Sequence, residues 1–533
     1  MRLNLEGIKD KAYQEKGYKL PRYDIEKVKK QTKETPEWVH FGAGNIFRAF
    51  PAKMHQHLLN EGKAKTGIIV AEGFDYEIID KAFKPYDLLT LSVVLKADGT
   101  IEKEVIASMV EALKFDPQFK EDFSRLIEAF EAKSLQIASF TITEKGYELQ
   151  NNQGQYYDNV LHDFKNGHLS PTSYLGKVAY LLYRRYLKNK APLTLVSMDN
   201  YSHNGTKLKN SILDIAQHWV ENKLVEQDFI TYLNTQVAYP WSMIDKITPR
   251  PDGLVADMLK NDGFLDVETF ITTKNTYIAP YVNAEEAQYL VIENDFKNGR
   301  PALEQEGVIF TDKETVDKVE KMKVTTCLNP LHTSLAIYGC LLGYSKISEQ
   351  MKDPTLVSMI KKVGYTEGLP VVVNPGIIDP KAFIDEVIEV RLPNPFMPDS
   401  PQRIATDTSQ KLSIRFGETI KAYLKDENLN IKDLKIIPLV LAGWLRYLMG
   451  IEDNGRKFEV SPDPLYEYAY GYVKDINLGD KIKLDQVRSL LEDEKIFGLN
   501  LVSAGLAETV VSYFNELNDG KHAVRKTLDK YLL

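Results

Sequence analysis

Cysteine is almost absent: Cys327 and Cys340 are the only two in 533 residues. That argues against a disulfide framework or a thiolate zinc site and leaves both as small buried apolar side chains. No run of about 18 uninterrupted apolar residues occurs, so no membrane-spanning helix is expected. The opening Met-Arg-Leu-Asn-Leu-Glu-Gly lacks the apolar core of a signal peptide, which predicts a cytoplasmic protein. Nor is there an excess of one charge, since 67 basic residues are interspersed with 75 acidic ones for a net charge of −8. Nothing there selects nucleic acid or an anionic membrane as a partner. The nine histidines are scattered, and His55 and His57, two apart on a predicted helix, diverge, so no metal site is expected. Repeats of fixed period and low-complexity segments are missing too.

What remains is a chain too long for one hydrophobic core, which predicts two domains. Residues 1 to about 36 read as a lysine-rich polar surface leader. Trp38 to Phe41 then predicts a short strand and Gly42-Ala43-Gly44 a turn. Asn45 to about Leu59 predicts a helix whose apolar positions are Ile46, Phe50, Met54 and Leu58. Thr66 to Ala71 predicts a buried parallel strand ending at Glu72. In such a unit the first glycine makes the tight turn, the second lets the backbone approach a pyrophosphate, and the acid holds the adenosine ribose hydroxyls. Gly42, Ala43, Gly44, Asn45, Ile46, Phe47 and Glu72 are therefore the candidate cofactor residues. The glycine signal alone also fits a plain structural turn, because Phe47 stands where the usual fingerprint has a third small residue.

Further apolar runs, Leu135 to Thr143 and Pro192 to Met198, predict strands that end in polar clusters. Those clusters are Thr143-Glu144-Lys145-Gly146-Tyr147 and Asp199-Asn200-Tyr201-Ser202-His203-Asn204-Gly205. Polar strand ends belong at the carboxyl edge of a parallel sheet, where ligands collect, so Thr143, Glu144 and Asn200 join the cofactor candidates. Beyond about residue 315 the periodicity becomes helical, as over Pro330 to Tyr344, Ser409 to Lys425 and Ile436 to Met449. Helix breakers at Asn298-Gly299-Arg300-Pro301 and Gly307 mark the change. The expected α/β architecture is a Rossmann-type domain over residues 1–310, including the leader, and a mainly α-helical domain over residues 311–533.

One segment, Lys323-Val-Thr-Thr-Cys-Leu-Asn-Pro-Leu-His332, gathers a base, an amide and an imidazole within ten residues. With His40 to Ala49, Thr143 to Tyr147, Ser197 to Gly205, Met243 to Pro249 and Gln402 to Leu412, it resembles the polyol-specific long-chain dehydrogenase family. That family includes mannitol 2-dehydrogenases, mannonate oxidoreductases and altronate oxidoreductases. The likeness runs from about residue 37 to the carboxyl terminus. It implies that Lys323 is the catalytic lysine with Glu320 beside it, that Asn200, Asn329 and His332 complete the catalytic set, and that Arg403 and Lys411 contact substrate hydroxyls along with Asn329 and His332. One departure stands out: the family has Asn five residues after the lysine, whereas here it is six. Either a helical bulge absorbs the extra residue or the catalytic position is shifted, for instance to Lys321.

The chemistry agrees with those roles. Oxidising a secondary alcohol needs a base for the hydroxyl proton and a polar cradle for the alkoxide, while a nicotinamide takes the hydride. Without a metal, a lysine is the base, and burial would lower its pKa toward neutrality. Asn200 and Asn329 would donate N–H groups to the oxyanion, and His332, three residues after Asn329, would orient the hydroxyl. The ordinary readings are a solvated lysine, a core histidine and surface charges at Arg403 and Lys411. The resemblance implies an NAD-dependent oxidoreductase for a sugar acid or polyol. D-mannonate with D-fructuronate leads, followed by mannitol with fructose and altronate with tagaturonate. Glu72 would repel a 2′-phosphate, which favours NAD over NADP. A monomer or homodimer fits the composition equally. The reading from another class is an NAD-binding sensor that has lost its chemistry.

Overall fold

Six strands build the central sheet of the first unit in the computed structural model, which describes residues 1–533. They are β1 (Trp38–Phe41), β2 (Ile68–Glu72), β3 (Met109–Lys114), β4 (Ile137–Phe140), β5 (Leu193–Ser197) and β6 (Val237–Ala238). The spatial order is β3-β2-β1-β4-β5-β6, and every pairing is parallel. Their near-continuous Val, Ile, Leu and Phe content follows from burial on both faces. Val39 and Phe41 point into one apolar layer with helices Lys120–Glu131, Tyr174–Lys188 and Asn204–Glu221, while Trp38, Ile68 and Val70 point into the other. Chain order reverses between β1 and β4, so the carboxyl ends of those two strands open the crevice typical of doubly wound sheets.

Three expectations change in this unit. The helix predicted over Asn45 to Leu59 is two helices, Asn45–Ala49 and Pro51–Asn60, separated by Phe50 at φ −127° and ψ −78°. Pro51 removes an amide donor and pushes the preceding residue out of helical geometry, so the apolar periodicity carries across a break. The amino-terminal segment is not a detached leader. Tyr18–Lys19 pairs with Ile101–Ile106, Tyr13 and Leu3 are buried, and the Met1 ammonium donates to the Gly263 carbonyl at 2.7 Å. Three smaller sheets lie outside the sequence expectation: a four-stranded one that includes Thr90–Leu95 and Tyr281–Glu285, a three-stranded one of Ser242–Asp245, Tyr289–Glu293 and Ile309–Thr311, and a two-stranded one of Phe270–Ile271 and Tyr277–Ile278.

The chain divides at residues 317/318, and the second unit comprises residues 97–99 and 318–533. It is helical throughout its long segment. Helix Ile436–Leu448 is buried along its whole length and packs against Asn329–Leu342 and Ala507–Leu517. Several helices are interrupted by π turns, among them Lys323–Cys327 and Ser413–Gly417, and these two pack on one another. Cys327 and Cys340 are free and buried, and burial pushes both thiols up to about 12. No helix is long and apolar enough to cross a membrane.

Candidate active site

The glycine turn leaves the carboxyl end of β1 with its two glycines in different circumstances. Gly42 has φ +104°, and a Cβ there would lie 2.3 Å from the Thr141 carbonyl oxygen, so only glycine fits. Gly44 has an ordinary φ of −75°, and a Cβ there would meet nothing within 4 Å. The space beside Gly44 is thus open, as a backbone approached by a pyrophosphate requires. Gly44, Asn45 and Ile46 are half-buried and can be reached by a ligand, whereas Gly42, Ala43 and Phe47 are buried. At Phe47 only the main chain could take part in such a site. Its ring stacks on His40 with centroids 3.8 Å apart, inside the core, so the side chain is unavailable to a ligand. His40 in turn lies within hydrogen-bond distance of the Ser139 and Thr141 hydroxyls, and desolvation holds its pKa well below the usual value, keeping it neutral.

Glu72 does more than end β2. One carboxylate oxygen accepts from the Ala43 amide at 2.8 Å, and the other accepts from the amides of Phe74 and Asp75 at 2.8 and 3.0 Å. Those three bonds lock the glycine turn to the loop after β2 and use most of the acceptor capacity expected for ribose hydroxyls. Burial raises the Glu72 pKa despite the three amides that oppose it. Beside this loop lies a cavity of about 400 Å³ lined by residues that include Gly73, Phe74, Asp75, Asp116, Tyr174 and Lys177. It occupies the carboxyl ends of β2 and β3, on the side of the sheet where the adenosine end of a dinucleotide belongs. The Lys177 ammonium donates to the Phe115 carbonyl and to Asp116 at 2.9 and 3.0 Å, so its charge is already paired.

At the ends of β4 and β5, Asp199 ties two loops together. Its carboxylate accepts from the Ile142 amide at 2.9 Å, the Thr143 amide at 3.0 Å and the buried Tyr147 hydroxyl at 2.6 Å. Burial pushes its pKa up although these donors oppose it. Thr143 is held at φ +62° and ψ 162°, a conformation that costs a β-branched residue about 1–3 kcal/mol. Strain of this kind, maintained by a half-buried carboxylate, marks a loop shaped for a purpose. Thr143, Glu144 and Asn200 are all exposed at this edge, and Glu144 pairs with Lys207 at 3.3 Å.

In the second unit, the six-residue interval between Lys323 and Asn329 is explained by the backbone. Residues 323–327 form a π turn in which the Lys323 carbonyl accepts from the Leu328 amide at 3.1 Å. A π turn holds one more residue than an α turn, so it takes up the extra residue. Lys323 is 5% exposed, whereas Lys321 is on the surface. A new helix then starts at Asn329 with Pro330 in its first turn. Its cap is Leu328 and no side chain caps it, so the Asn329 carboxamide is not serving as a helix start. His332 is half-buried, with Nε2 3.4 Å from an Asp399 oxygen, and Arg403 donates to the other oxygen of the same carboxylate. Burial works to raise the Asp399 pKa, but His332 and Arg403 outweigh it and hold the group below its usual range.

Lys411 donates to the Thr406 carbonyl, and burial first, then the nearby Arg415 guanidinium, lower its pKa. Arg415 itself, in the π turn Ser413–Gly417, donates to the Thr333 hydroxyl, which donates to the Asn329 carbonyl at 2.8 Å. Asn329, His332, Thr333, Asp399, Arg403, Lys411 and Arg415 thus form one chain of contacts and near neighbours. Sequence reasoning missed Asp399 and Arg415. The available signal was spacing, since each lies four residues from an expected substrate-binding residue, Asp399 just before the short helix that carries Arg403 and Arg415 in the π turn that follows Lys411.

Comparison with known proteins agrees with this architecture. Residues 36–305 match the mannitol dehydrogenase Rossmann domain, and residues 315–518 match the mannitol dehydrogenase C-terminal domain. The D-mannonate oxidoreductase of Thermotoga maritima is 54% identical over 534 residues, covering 99% of both chains. A solved ternary complex of Pseudomonas fluorescens mannitol 2-dehydrogenase with NAD and D-mannitol is 25% identical, covers 100% of this chain and 99% of its own, and superposes with a TM-score of 0.70. A substrate-free D-sorbitol dehydrogenase, 24% identical over 97% of this chain and 98% of its own, shares the fold at a TM-score of 0.77. With both domain descriptions satisfied in order along most of its length, the chain belongs to the mannitol dehydrogenase family.

Proposed function

We propose that this protein is an NAD-dependent oxidoreductase that interconverts D-mannonate and D-fructuronate. The observation that carries the substrate is the 54% identity to a D-mannonate oxidoreductase across 99% of both chains. The first unit fits a dinucleotide on its own terms: the strand order of a doubly wound sheet, open space at Gly44, and a cavity beside the end of β2. The turn from Gly42 to Ile46 would hold the pyrophosphate, and the loop at Thr143 and Glu144 would border the cofactor. Glu72 fixes the turn, and with Asp75 it makes the ribose end acidic, which disfavours a 2′-phosphate. NAD supplies the hydride exchange at the reacting carbon.

The protein's own residues move the proton and hold the substrate. Lys323 takes the hydroxyl proton in oxidation and returns it in reduction. Asn200 and Asn329 donate carboxamide N–H groups to the oxygen as it gains negative charge. His332, steadied by Asp399, orients the same oxygen. Arg403 and Lys411 contact the remaining polar groups of the open-chain sugar. The same reading gives a cytoplasmic enzyme that works as a monomer or homodimer.

A panel of D-fructuronate, D-tagaturonate and D-fructose with NADH, and of their alcohols with NAD, tests the assignment through kcat/KM. Fructuronate should lead by at least about tenfold, roughly 1.4 kcal/mol of transition-state preference. Preference for fructose or tagaturonate would reassign the substrate. NADH binding without turnover of any member would leave a cofactor-binding sensor.

A further inference from the structure

Among the basic groups of the second unit's cluster, one guanidinium lacks an anionic partner. Arg403 donates to the Asp399 carboxylate, which also neighbours His332, so its charge is answered. Lys411 is satisfied by the Thr406 carbonyl. Arg415 is surrounded differently. Its one intramolecular hydrogen bond goes to the neutral Thr333 hydroxyl, no carboxylate pairs with it, and burial lowers its pKa to about 10. Two acids lie near the neighbouring Lys411: Asp407, at the start of its helix, and Asp463, which is occupied by the Ser409 amide and hydroxyl and the Leu465 amide.

Three other desolvated arginines, Arg48, Arg185 and Arg446, are sealed from solvent and donate to main-chain carbonyls, with one buried nitrogen left over at Arg48 and at Arg446. Arg185 donates five hydrogen bonds to main-chain carbonyls, and Arg48 donates to Thr90 and the Ala279 carbonyl. A guanidinium has five N–H donors, and those of Arg415 that meet no protein group stay open to solvent, free to exchange water for a ligand. Arg415 remains half-buried rather than sealed, so a ligand can reach it. Through Thr333 it is joined to Asn329, and Lys411 lies close enough to add to the positive field.

We propose that Arg415 binds the terminal carboxylate of a hexonate substrate and is the residue that selects sugar acids over polyols at this site. The inference deepens the function proposed above and rests on it. A planar guanidinium with two parallel donors matches a carboxylate, and an uncharged polyol terminus would leave it unpaired. Arg403, already bound to Asp399, is less able to take that role.

The test compares the unmodified enzyme with Arg415→Lys and Arg415→Gln in D-fructuronate reduction by NADH, with D-fructose as the uncharged control. For Arg415→Gln, kcat/KM with fructuronate should fall by about 10²-fold, mostly through KM, and Arg415→Lys should recover part of it. Fructose turnover should change by less than about threefold, so the preference for the acid collapses. D-mannonate should raise the melting temperature of the unmodified protein but not of Arg415→Gln, a reading that needs no turnover. If Arg415→Gln does not fold, Arg415→Lys is read by the same KM and the same thermal shift. Unchanged fructuronate KM with an unchanged mannonate shift, or equal losses on acid and polyol, would overturn the role of Arg415 while leaving the function intact. Absence of hexuronate turnover in the unmodified enzyme would instead overturn the function itself.

Discussion

The main-chain carbonyl of Lys323 accepts from the Leu328 amide, five residues on, and this π-type turn sets the register between Lys323 and Asn329. With an uninterrupted α-helix the extra residue would rotate Asn329 by about 100° relative to Lys323. Replacing Lys323 with alanine should lower kcat by roughly 10²–10⁴, the usual worth of a general acid and base, with the dissociation constant for NADH unchanged. Lys321→Ala should keep turnover within about twofold, since that side chain is exposed. Stopped-flow turnover and fluorescence titration of NADH read both. Should Lys321→Ala be the variant that loses activity, the family's lysine position falls on Lys321 instead.

Gly42 and Gly44 are two residues apart but should fail in opposite ways. Gly42→Ala sets a methyl group 2.3 Å from the Thr141 carbonyl at a φ of +104°, so a loss of at least about 2 kcal/mol in stability is expected. Gly44→Ala meets no atom within 4 Å and should melt with the unmodified protein. Its methyl group would occupy the space proposed for the pyrophosphate, so NADH affinity should drop about tenfold, or 1.4 kcal/mol. Melting curves and NADH titrations separate the two effects. Unaltered NADH affinity in Gly44→Ala would remove the turn from the cofactor site.

His57 provides a pH-dependent test of the first unit. Its ring lies 3.0 Å from Glu104 and 2.8 Å from Glu306, and the hydrogen bond to Glu104, ahead of the other contributions, raises its pKa above 6.5. A raised value in the folded state means that the protonated form is favoured by folding. The stabilisation is therefore complete below the unfolded pKa of about 6.5 and fades as pH rises through the folded value. The difference in melting temperature between the unmodified protein and His57→Gln should be larger at pH 6 than at pH 9. A gap that is the same at both values would show that His57 contributes packing and not charge.

Much of the fold could be read from local pattern, because its signals are local. The apolar run ending at Phe41, the turn at Gly42 and the run ending at Glu72 each declare themselves within a few residues. The polar clusters at Thr143 and Asp199 sit at strand ends for the same reason. What escaped depends on contacts distant in sequence. Glu72 reads as a free ribose ligand until the Ala43 amide, 29 residues away, is seen to bind it. Phe47 reads as a misfit for a third glycine until its ring is found stacked on His40. Thr90–Leu95 and Tyr281–Glu285 pair across most of the first unit, which no periodicity reveals. The break at Pro51 was written in the sequence, yet apolar spacing on both sides masked it.

Asn329 offers the cleanest separation of chemistry from structure. Its main-chain carbonyl accepts from the Thr333 hydroxyl, and its carboxamide caps no helix, so Asn329→Ala preserves every backbone contact. The melting temperature should stay within about 2 °C. Removal of one preorganised donor to a developing oxyanion costs on the order of 10² in kcat, about 2.7 kcal/mol, while KM changes little because the ground-state oxygen is less charged. Asn200→Ala, at the exposed end of β5, should show the same signature. A rise in KM with kcat unchanged, in either single variant, would make that asparagine a substrate anchor and remove it from the oxyanion cradle.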